Sequence, residues 1–226
     1  NSSAVVAFSH DGVLSLATST GHIVSTIHAD RPIGEFDVSP DLAHVVFAEP
    51  HPGRIGGPLF LLEVATGRLD RIPPDPFFNS GDRNPSENYA GPEFSPDGQR
   101  IAYAAHRAAR GDDHDIAGPV IVLDIASREL RVLPSSLDEH GKAGFSVADP
   151  HWSPDGTRLA YLAEGAPKGT QVFVLRVATR EVTQVTHGTE APANLQWSHD
   201  GRWLACTMVV PAKDGFPIEM PKAPKG

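Results

Sequence analysis

A short motif that recurs five times along the chain constrains its fold more than any other feature. The motif begins at Phe8, Val38, Phe94, Trp152 and Trp197, and its full form is an aromatic residue followed by Ser-Pro-Asp-Gly. Proline presets φ to about −65° at the first corner of a type I turn, and aspartate tolerates the second corner. Glycine then takes the left-handed conformation that returns the chain to a strand. The motif therefore predicts a series of β-hairpins.

The second copy of the motif departs from this pattern, because Leu42 stands where glycine is expected. A left-handed leucine costs about 1–2 kcal/mol. We therefore expect a different turn at this position.

A second pattern follows each full motif after a loop. Apolar runs such as 58–64, 119–125 and 172–177 lead into Ala-Thr-Gly, Ala-Ser-Arg or Ala-Thr-Arg, and a further short strand-like run follows. No apolar helical period lasts ten residues. The runs are apolar at successive positions, which indicates sheets covered on both faces. Four-stranded antiparallel units stacked face to face predict an all-β fold, a β-propeller.

The repeats predict about four blades within residues 1–210, followed by a proline-rich tail or linker at 211–226. Pairing both chain ends in one blade would close the ring and remove exposed edge strands. The predicted blades are residues 33–73, 91–134, 149–186, and 194–208 closed with 13–28. The alternative, which the proline-rich tail favours, is that the chain is part of a larger propeller.

The repeat resembles a known group. The segment 152–161, Trp-Ser-Pro-Asp-Gly-x-x-Leu-Ala-Tyr, and the later Val-Ala-Thr-Gly at 64–67 are similar to the TolB-type (PD40-like) propeller repeat. One context of this repeat is the propeller domain of prolyl oligopeptidase-family serine peptidases, including acylaminoacyl-peptidase-like members. The segment 203–226 is similar to a stretch of that family in which a blade strand leads to a Met-Pro-rich connector. The resemblance implies a Ser-Asp-His triad in a separate hydrolase domain.

Composition excludes several classes of function. The net charge of −9 gives no general basic field for nucleic acid. No stretch approaches the roughly 20 apolar residues of a membrane helix, so we expect no membrane insertion. The single cysteine, Cys206, excludes an internal disulfide and is predicted to be a buried small hydrophobe. No cofactor motif is present, so we predict no cofactor. The compartment is left open between cytoplasm and periplasm.

The sequence carries no catalytic motif. A serine hydrolase needs a Gly-x-Ser-x-Gly elbow between a strand and a helix. The nearest string, residues 144–148, lacks the final glycine and a following helix. We therefore assign no catalytic residue to this chain.

Chain direction places the candidate binding residues. In an up-and-down blade the short turns gather at one end and the long connections at the other, and long loops on a rigid scaffold commonly carry binding. The loop 73–90 contains aromatic and basic residues that are candidates for contacting a ligand or partner. Its phenylalanines are also suited to packing over the edge of a blade. The candidates at this end are Phe77, Phe78, Arg83, Tyr89, Arg110 and His140.

The loop 107–118 also contains a possible metal site. Carboxylates suit Ca²⁺ and imidazole suits transition metals, but the spacing is not that of a calcium loop, and a solvated loop has the same composition. The residues concerned are Asp112, Asp113, His114 and Asp115.

Three functional hypotheses follow. The first is a non-catalytic propeller domain of a prolyl oligopeptidase-like serine peptidase, which restricts access of peptide substrates and docks a hydrolase domain. The second is a stand-alone TolB-like module that binds a protein partner. A third is a small propeller glycosidase, which would need acidic residues projecting into a central channel.

Overall fold

The computed structural model describes residues 5–10, 13–18, 20, 22–28, 31–50, 56–74, 88–108, 115–132 and 148–209. These residues form strands in five antiparallel sheets, and none of them is helical. The predicted all-β class and stacked-blade architecture are confirmed. The described part of the chain also contains no helix long and apolar enough to cross a membrane.

The sheets follow one another along the chain. The first has three strands, β1 (Val5–His10), β2 (Val13–Thr18) and β3 (Ile23–His28). The second contains β4 (Phe36–Val38), β5 (His44–Ala48), β6 (Leu59–Glu63) and β7 (Leu69–Arg71). The third contains β8 (Asn88–Phe94), β9 (Arg100–Ala108), β10 (Asp115–Asp124) and β11 (Leu130–Val132).

The fourth sheet contains β12 (Ala148–Trp152), β13 (Arg158–Gly165), β14 (Gly169–Arg176) and β15 (Val182–Gln184). The fifth has two strands, β16 (Pro192–Trp197) and β17 (Leu204–Met208). Strands that are consecutive within a sheet are neighbours, so each sheet is a simple up-and-down meander.

The strands near the two ends of the described chain lie in separate sheets. β16 pairs with β17, and β1, β2 and β3 form a sheet of their own. The joining of 194–208 to 13–28 in one blade stays a prediction.

The third sheet reaches further than the sequence predicts. β9 continues to Ala108 and β10 starts at Asp115, with these two residues opposite each other. The predicted loop 107–118 is thus partly strand. A register shift between Ala117 and Val120 accommodates Gly118 and Pro119, which are poor residues for a regular ladder.

Apolar residues at successive strand positions pack against different neighbours. On β5, Val45 and Phe47 join the core shared with the first sheet. Val46 and Ala48 join the core shared with the third sheet. Because side chains alternate across a strand, one apolar run serves both junctions of a blade.

Buried serines organise the turns between the first and second strands. Ser153 Oγ donates to Asp155 Oδ1 at 2.5 Å and accepts a hydrogen bond from the Arg158 N–H at 3.0 Å. Asp155 Oδ1 also accepts from the Thr157 N–H at 3.1 Å. Ser39 and Ser95 make the equivalent bonds. The Ser153 hydroxyl is the main reason that the pKa of Asp155 falls to about 2.

The turn at Leu42 is a correction to the sequence prediction. Leu42 adopts a φ of 61°, and its N–H donates to the Ser39 carbonyl at 2.8 Å. Gly98 makes the same bond to Ser95 with a φ of 68°. The turn is the same because the Ser39–Asp41 hydrogen bond and the flanking strands hold its geometry, and leucine bears the conformational cost.

Candidate functional site

From the second sheet onward, the first strand of each sheet lies beside the first strand of the following sheet. β4 contacts β8, β8 contacts β12, and β12 contacts β16. Each of these strands is also the edge of its own sheet. Together they form the inner surface of the blade array.

Carboxylates on or directly before the inner strands accept hydrogen bonds from the backbone of the following sheet. Asp37 Oδ2 accepts a hydrogen bond from the Phe94 N–H at 2.7 Å. Glu93 Oε1 accepts one from the Trp152 N–H at 3.0 Å. Glu35 Oε2 accepts one from the Gly91 N–H at 2.7 Å. We call these bonds the carboxylate latches.

Indole groups supply a second link in the same direction. Trp152 Nε1 donates to the Glu93 carbonyl at 3.3 Å, and Trp197 Nε1 donates to the His151 carbonyl at 3.0 Å. The two tryptophans also pack in the cores between sheets. Each indole therefore contributes both apolar packing and a polar contact between neighbouring sheets.

Glu93 also meets an imidazole on the next inner strand. Its Oε2 lies 2.9 Å from His151 Nδ1, and both side chains are half-buried. This pair is ionic when the imidazole is protonated. One carboxylate thus contacts both a backbone amide and a side chain of the fourth sheet.

Asp37 has an unusual environment for a carboxylate. Burial raises its pKa above the ordinary value, and the negative charge of Glu93 acts in the same direction. The backbone N–H groups of Phe94 and Val38 oppose this increase by stabilising the anion.

Two adjoining grooves lie along the inner strands. One has a volume of about 440 Å³ and is bounded by β4, β8 and Pro150 with His151. The other has a volume of about 580 Å³ and runs from Glu93 across β12 to β16. Both include Glu93 and His151 in their walls. Pro40 and Pro154 extend the walls to the Ser-Pro-Asp turns, so the grooves reach the end opposite to the predicted loop site.

Arginines from one turn cover the aromatic residue of the next sheet. The Arg100 guanidinium lies 5.9 Å from the ring centre of Trp152, and that of Arg158 lies 4.7 Å from the ring centre of Trp197. Arg158 Nη2 also donates to the Gly201 carbonyl at 2.7 Å. In the last repeat Trp203 occupies this position and is 71% exposed.

Among the predicted binding residues, Tyr89 is one that the structure describes. It is only 1% exposed and packs edge-on against Tyr103 with ring centres 5.2 Å apart. Its backbone also exchanges hydrogen bonds with Gly57. Tyr89 belongs to the core between the second and third sheets, and its binding role stays a prediction.

The remaining predicted site residues are mostly outside the described part of the chain. Asp115 is the first residue of β10. The residues outside the described ranges are Phe77, Phe78, Arg83, Arg110, Asp112, Asp113, His114 and His140. Their binding roles stay predictions. Within the described ranges, no group of three histidine, cysteine or acidic residues is placed to hold a metal ion.

The groove residues were missed by the sequence analysis, although the sequence contains a signal for them. Asp37, Glu93, His151 and Gln196 each stand two positions before the serine of a motif. A strand position that is polar in four repeats, among apolar neighbours, indicates a shared task. Cys206, which was predicted to be buried, is partly buried beside the last core.

The stacked meanders and their inner-strand grooves define this protein as a β-propeller built from TolB-like repeats. No family model matches the chain. The Tol-Pal system protein TolB of Francisella tularensis is 22% identical over 198 residues, which is 70% of this chain and 42% of that protein. "Uncharacterized peptidase YuxL" of Bacillus subtilis is 27% identical over 120 residues, 52% of this chain and 17% of that protein.

Solved structures agree on the fold. A putative TolB from Agrobacterium tumefaciens has a TM-score of 0.60 at 18% identity, covering 91% of this chain and 66% of that one. The β-propeller domain of Cps50 (Swd1) has a TM-score of 0.57 at 16% identity, covering 88% and 56%. The chain spans less than half the length of the curated relatives it matches.

Proposed function

We propose that this chain is a non-catalytic propeller that recognises polypeptide, as the propeller part of a prolyl oligopeptidase-like serine peptidase. In this role it restricts which peptides reach a hydrolase domain and docks that domain. The observation that carries the proposal is the pair of open grooves that cross the inner strands of consecutive sheets. The partial match to a peptidase supplies the enzymatic context.

The size of the grooves suits short segments of polypeptide. Volumes of about 440 and 580 Å³ lie within the range of roughly 300–1,000 Å³ found for ligand sites. The carboxylate latches hold the strands that form the walls. A groove with fixed walls needs little ordering when it binds.

The charge of the grooves favours cationic segments. Asp37 and Glu93 lie in the walls, and the whole chain has a net charge of −9. Complementary charge increases association and disfavours partners of the same sign. We therefore expect lysine- or arginine-containing peptides to bind more tightly than acidic ones.

The test compares two peptides of equal length, one lysine-rich and one glutamate-rich, by isothermal titration calorimetry. The lysine-rich peptide should bind more tightly, and raising the salt concentration should weaken it. Gln196→Lys places a positive charge in the exposed wall of the second groove and should reduce affinity about fivefold or more. Thr179→Lys, in an exposed turn of the fourth sheet, is the matched control. Equal effects of the two variants, or no preference between peptides, would contradict the proposal.

A stand-alone TolB-like protein-binding module is the second candidate. The TolB alignment favours it because it covers 70% of this chain, compared with 52% for the peptidase. Mass spectrometry of the intact protein from its source cells separates the two. A mass far above 24.1 kDa together with peptides from a Gly-x-Ser-x-Gly domain supports the peptidase. An intact protein without such a domain supports the binding module.

A further inference from the structure

The pair formed by Glu93 and His151 lies where the two grooves adjoin, and both residues line both grooves. Glu93 Oε2 is 2.9 Å from His151 Nδ1, and the two side chains are 28% and 32% exposed, respectively. Partly buried charges are screened less by salt than fully exposed ones. A change of charge on this pair therefore acts on a ligand in either groove.

A shared irregularity of the backbone sets the position of the pair. The register of β8 shifts directly before Glu93, that of β12 directly before His151, and that of β16 directly before Gln196. Such shifts are typical of β-bulges, which redirect a side chain and are common beside functional sites. Three consecutive inner strands thus place a polar side chain in the groove walls in the same way.

The imidazole controls the charge of both grooves. Histidine is the side chain whose charge ordinarily changes between about pH 5 and 8. With both carboxylates ionised and His151 neutral, the first groove carries the charges of Asp37 and Glu93, and the second carries that of Glu93. Protonation of His151 adds one positive charge to each. The first groove then changes from −2 to −1, and the second from −1 to 0.

The elements packed around His151 supply apolar residues, arginines, carboxylates and amides. β9, β10 and β13 share a buried cluster with β12, and β16 lines the second groove with the amides of Asn194 and Gln196. The guanidinium groups of Arg100 and Arg158 lie over the tryptophan rings of β12 and β16, and arginine stays protonated throughout. Glu35, which comes directly before β4, accepts a hydrogen bond from β8.

We propose that protonation of His151 regulates the two grooves, so that they bind cationic polypeptide near neutral pH and release it as the pH falls towards about 5. This inference rests on the proposed polypeptide-binding function and adds its regulation. Coupling between two binding events is reciprocal. A bound cationic segment therefore favours the neutral imidazole and displaces a proton from His151.

The test measures the affinity of a lysine-rich peptide by isothermal titration calorimetry at two pH values and equal ionic strength. The peptide is acetylated and amidated at its ends, so its own charge does not change in this range. Affinity should be about fivefold higher at about pH 7.5 than at about pH 5.5, because the grooves lose negative charge on acidification.

Two histidine substitutions separate the pair from the general charge of the protein. His151→Gln keeps an N–H group beside Glu93 but cannot become cationic, so the ratio of affinities at the two pH values should approach one. His187→Gln removes an exposed histidine that lies outside the walls of both grooves and should keep the ratio of the unaltered protein.

Proton release gives a second readout that needs no substitution. Titrations at about pH 6.5 in two buffers with different heats of ionisation measure the protons released when the peptide binds. The unaltered protein should release a measurable fraction of a proton, and His151→Gln should release less. A role of His151 in packing alone would change affinity without changing proton release.

Equal affinity at both pH values, or binding without proton release, would overturn the regulation while leaving the proposed function in place. A pH dependence that persists in His151→Gln but is lost in Asp37→Asn would also overturn it, since Asp37 would then be the titrating group. An equal loss in His151→Gln and His187→Gln would assign the effect to general charge. Absence of peptide binding at about pH 7.5 would overturn the proposed function, and this inference with it.

Discussion

At the scale of single residues, one hydrogen-bonded pair explains most of the turn geometry. In the four motifs that begin at residues 38, 94, 152 and 197, the serine hydroxyl donates to the aspartate two residues later, and that aspartate accepts a backbone N–H. The pair holds the turn even where glycine is replaced, as at Leu42. Turn conformation is therefore determined by the serine and aspartate together with the flanking strands.

Replacing Leu42 by glycine tests this conclusion. Leu42→Gly should stabilise the protein by up to about 1 kcal/mol, because glycine adopts the left-handed conformation at little steric cost. The gain is measured as a rise in the midpoint of urea unfolding. Ala43→Gly, one residue along, is the control and should give no gain. A loss of stability in Leu42→Gly would show that leucine packing outweighs the backbone strain.

The acid stability of the turns follows from the lowered pKa of Asp155. A carboxyl with a pKa of about 2 in the folded state and 3.8 as its ordinary value stabilises the fold above pH 4. This contribution is lost as the pH falls from about 4 to 2. Asp155→Asn should flatten the melting-temperature profile in that window. In Ser153→Ala, carbon NMR titration should show the pKa of Asp155 rising, and an unchanged pKa would exclude the hydroxyl as its cause.

The raised pKa of Asp37 predicts a difference between two substitutions. Asp37→Asn keeps an acceptor for the Phe94 N–H and removes the cost of burying a charge, so stability at pH 7 should be equal or higher. Asp37→Ala leaves that N–H without its acceptor and should cost about 1–3 kcal/mol. Urea unfolding at pH 7 measures both. Equal losses in the two variants would indicate that the charge itself is required.

At the scale of whole elements, neighbouring sheets are joined by polar bonds in addition to their apolar cores. The fourth and fifth sheets share a small buried cluster. Arg158 adds to their contact, because it donates a hydrogen bond to the Gly201 carbonyl and lies over the Trp197 ring. Arg158 and Trp197, whose Nε1 donates to the His151 carbonyl, thus provide the polar links between the fourth and fifth sheets.

Arg158→Ala should loosen the fifth sheet more than the rest of the protein. Losing a hydrogen bond to a turn carbonyl and a cation–π contact is worth about 1–2 kcal/mol locally. Amide exchange in β16 and β17 should become several-fold faster, with β5 and β9 unchanged. Arg176→Ala removes an exposed arginine of the fourth sheet, which also contains Arg158, and is the control. Uniformly faster exchange in all sheets would contradict this local role.

At the scale of the whole molecule, local chemistry made the architecture predictable. The Ser-Pro-Asp-Gly turns and apolar runs identify the hairpins and the covered sheet faces. The burial of Tyr89 could not be predicted, because an aromatic residue beside a long loop has the same sequence appearance whether it packs in a strand or remains exposed. The latches at Asp37 and Glu93 join residues 57 and 59 positions apart. Such contacts depend on how sheets stack, which no local pattern contains.

The carboxylate latches all run one way along the chain, with the acceptor on the earlier sheet and the donor on the later one. A repeat of this kind has a complementary front and back. If a gene segment encoding one full repeat is duplicated in frame, the new repeat carries both the carboxylate acceptor and the backbone donor of a latch. Such a fold can gain or lose whole repeats during evolution while the hydrogen bonds between neighbouring sheets are kept.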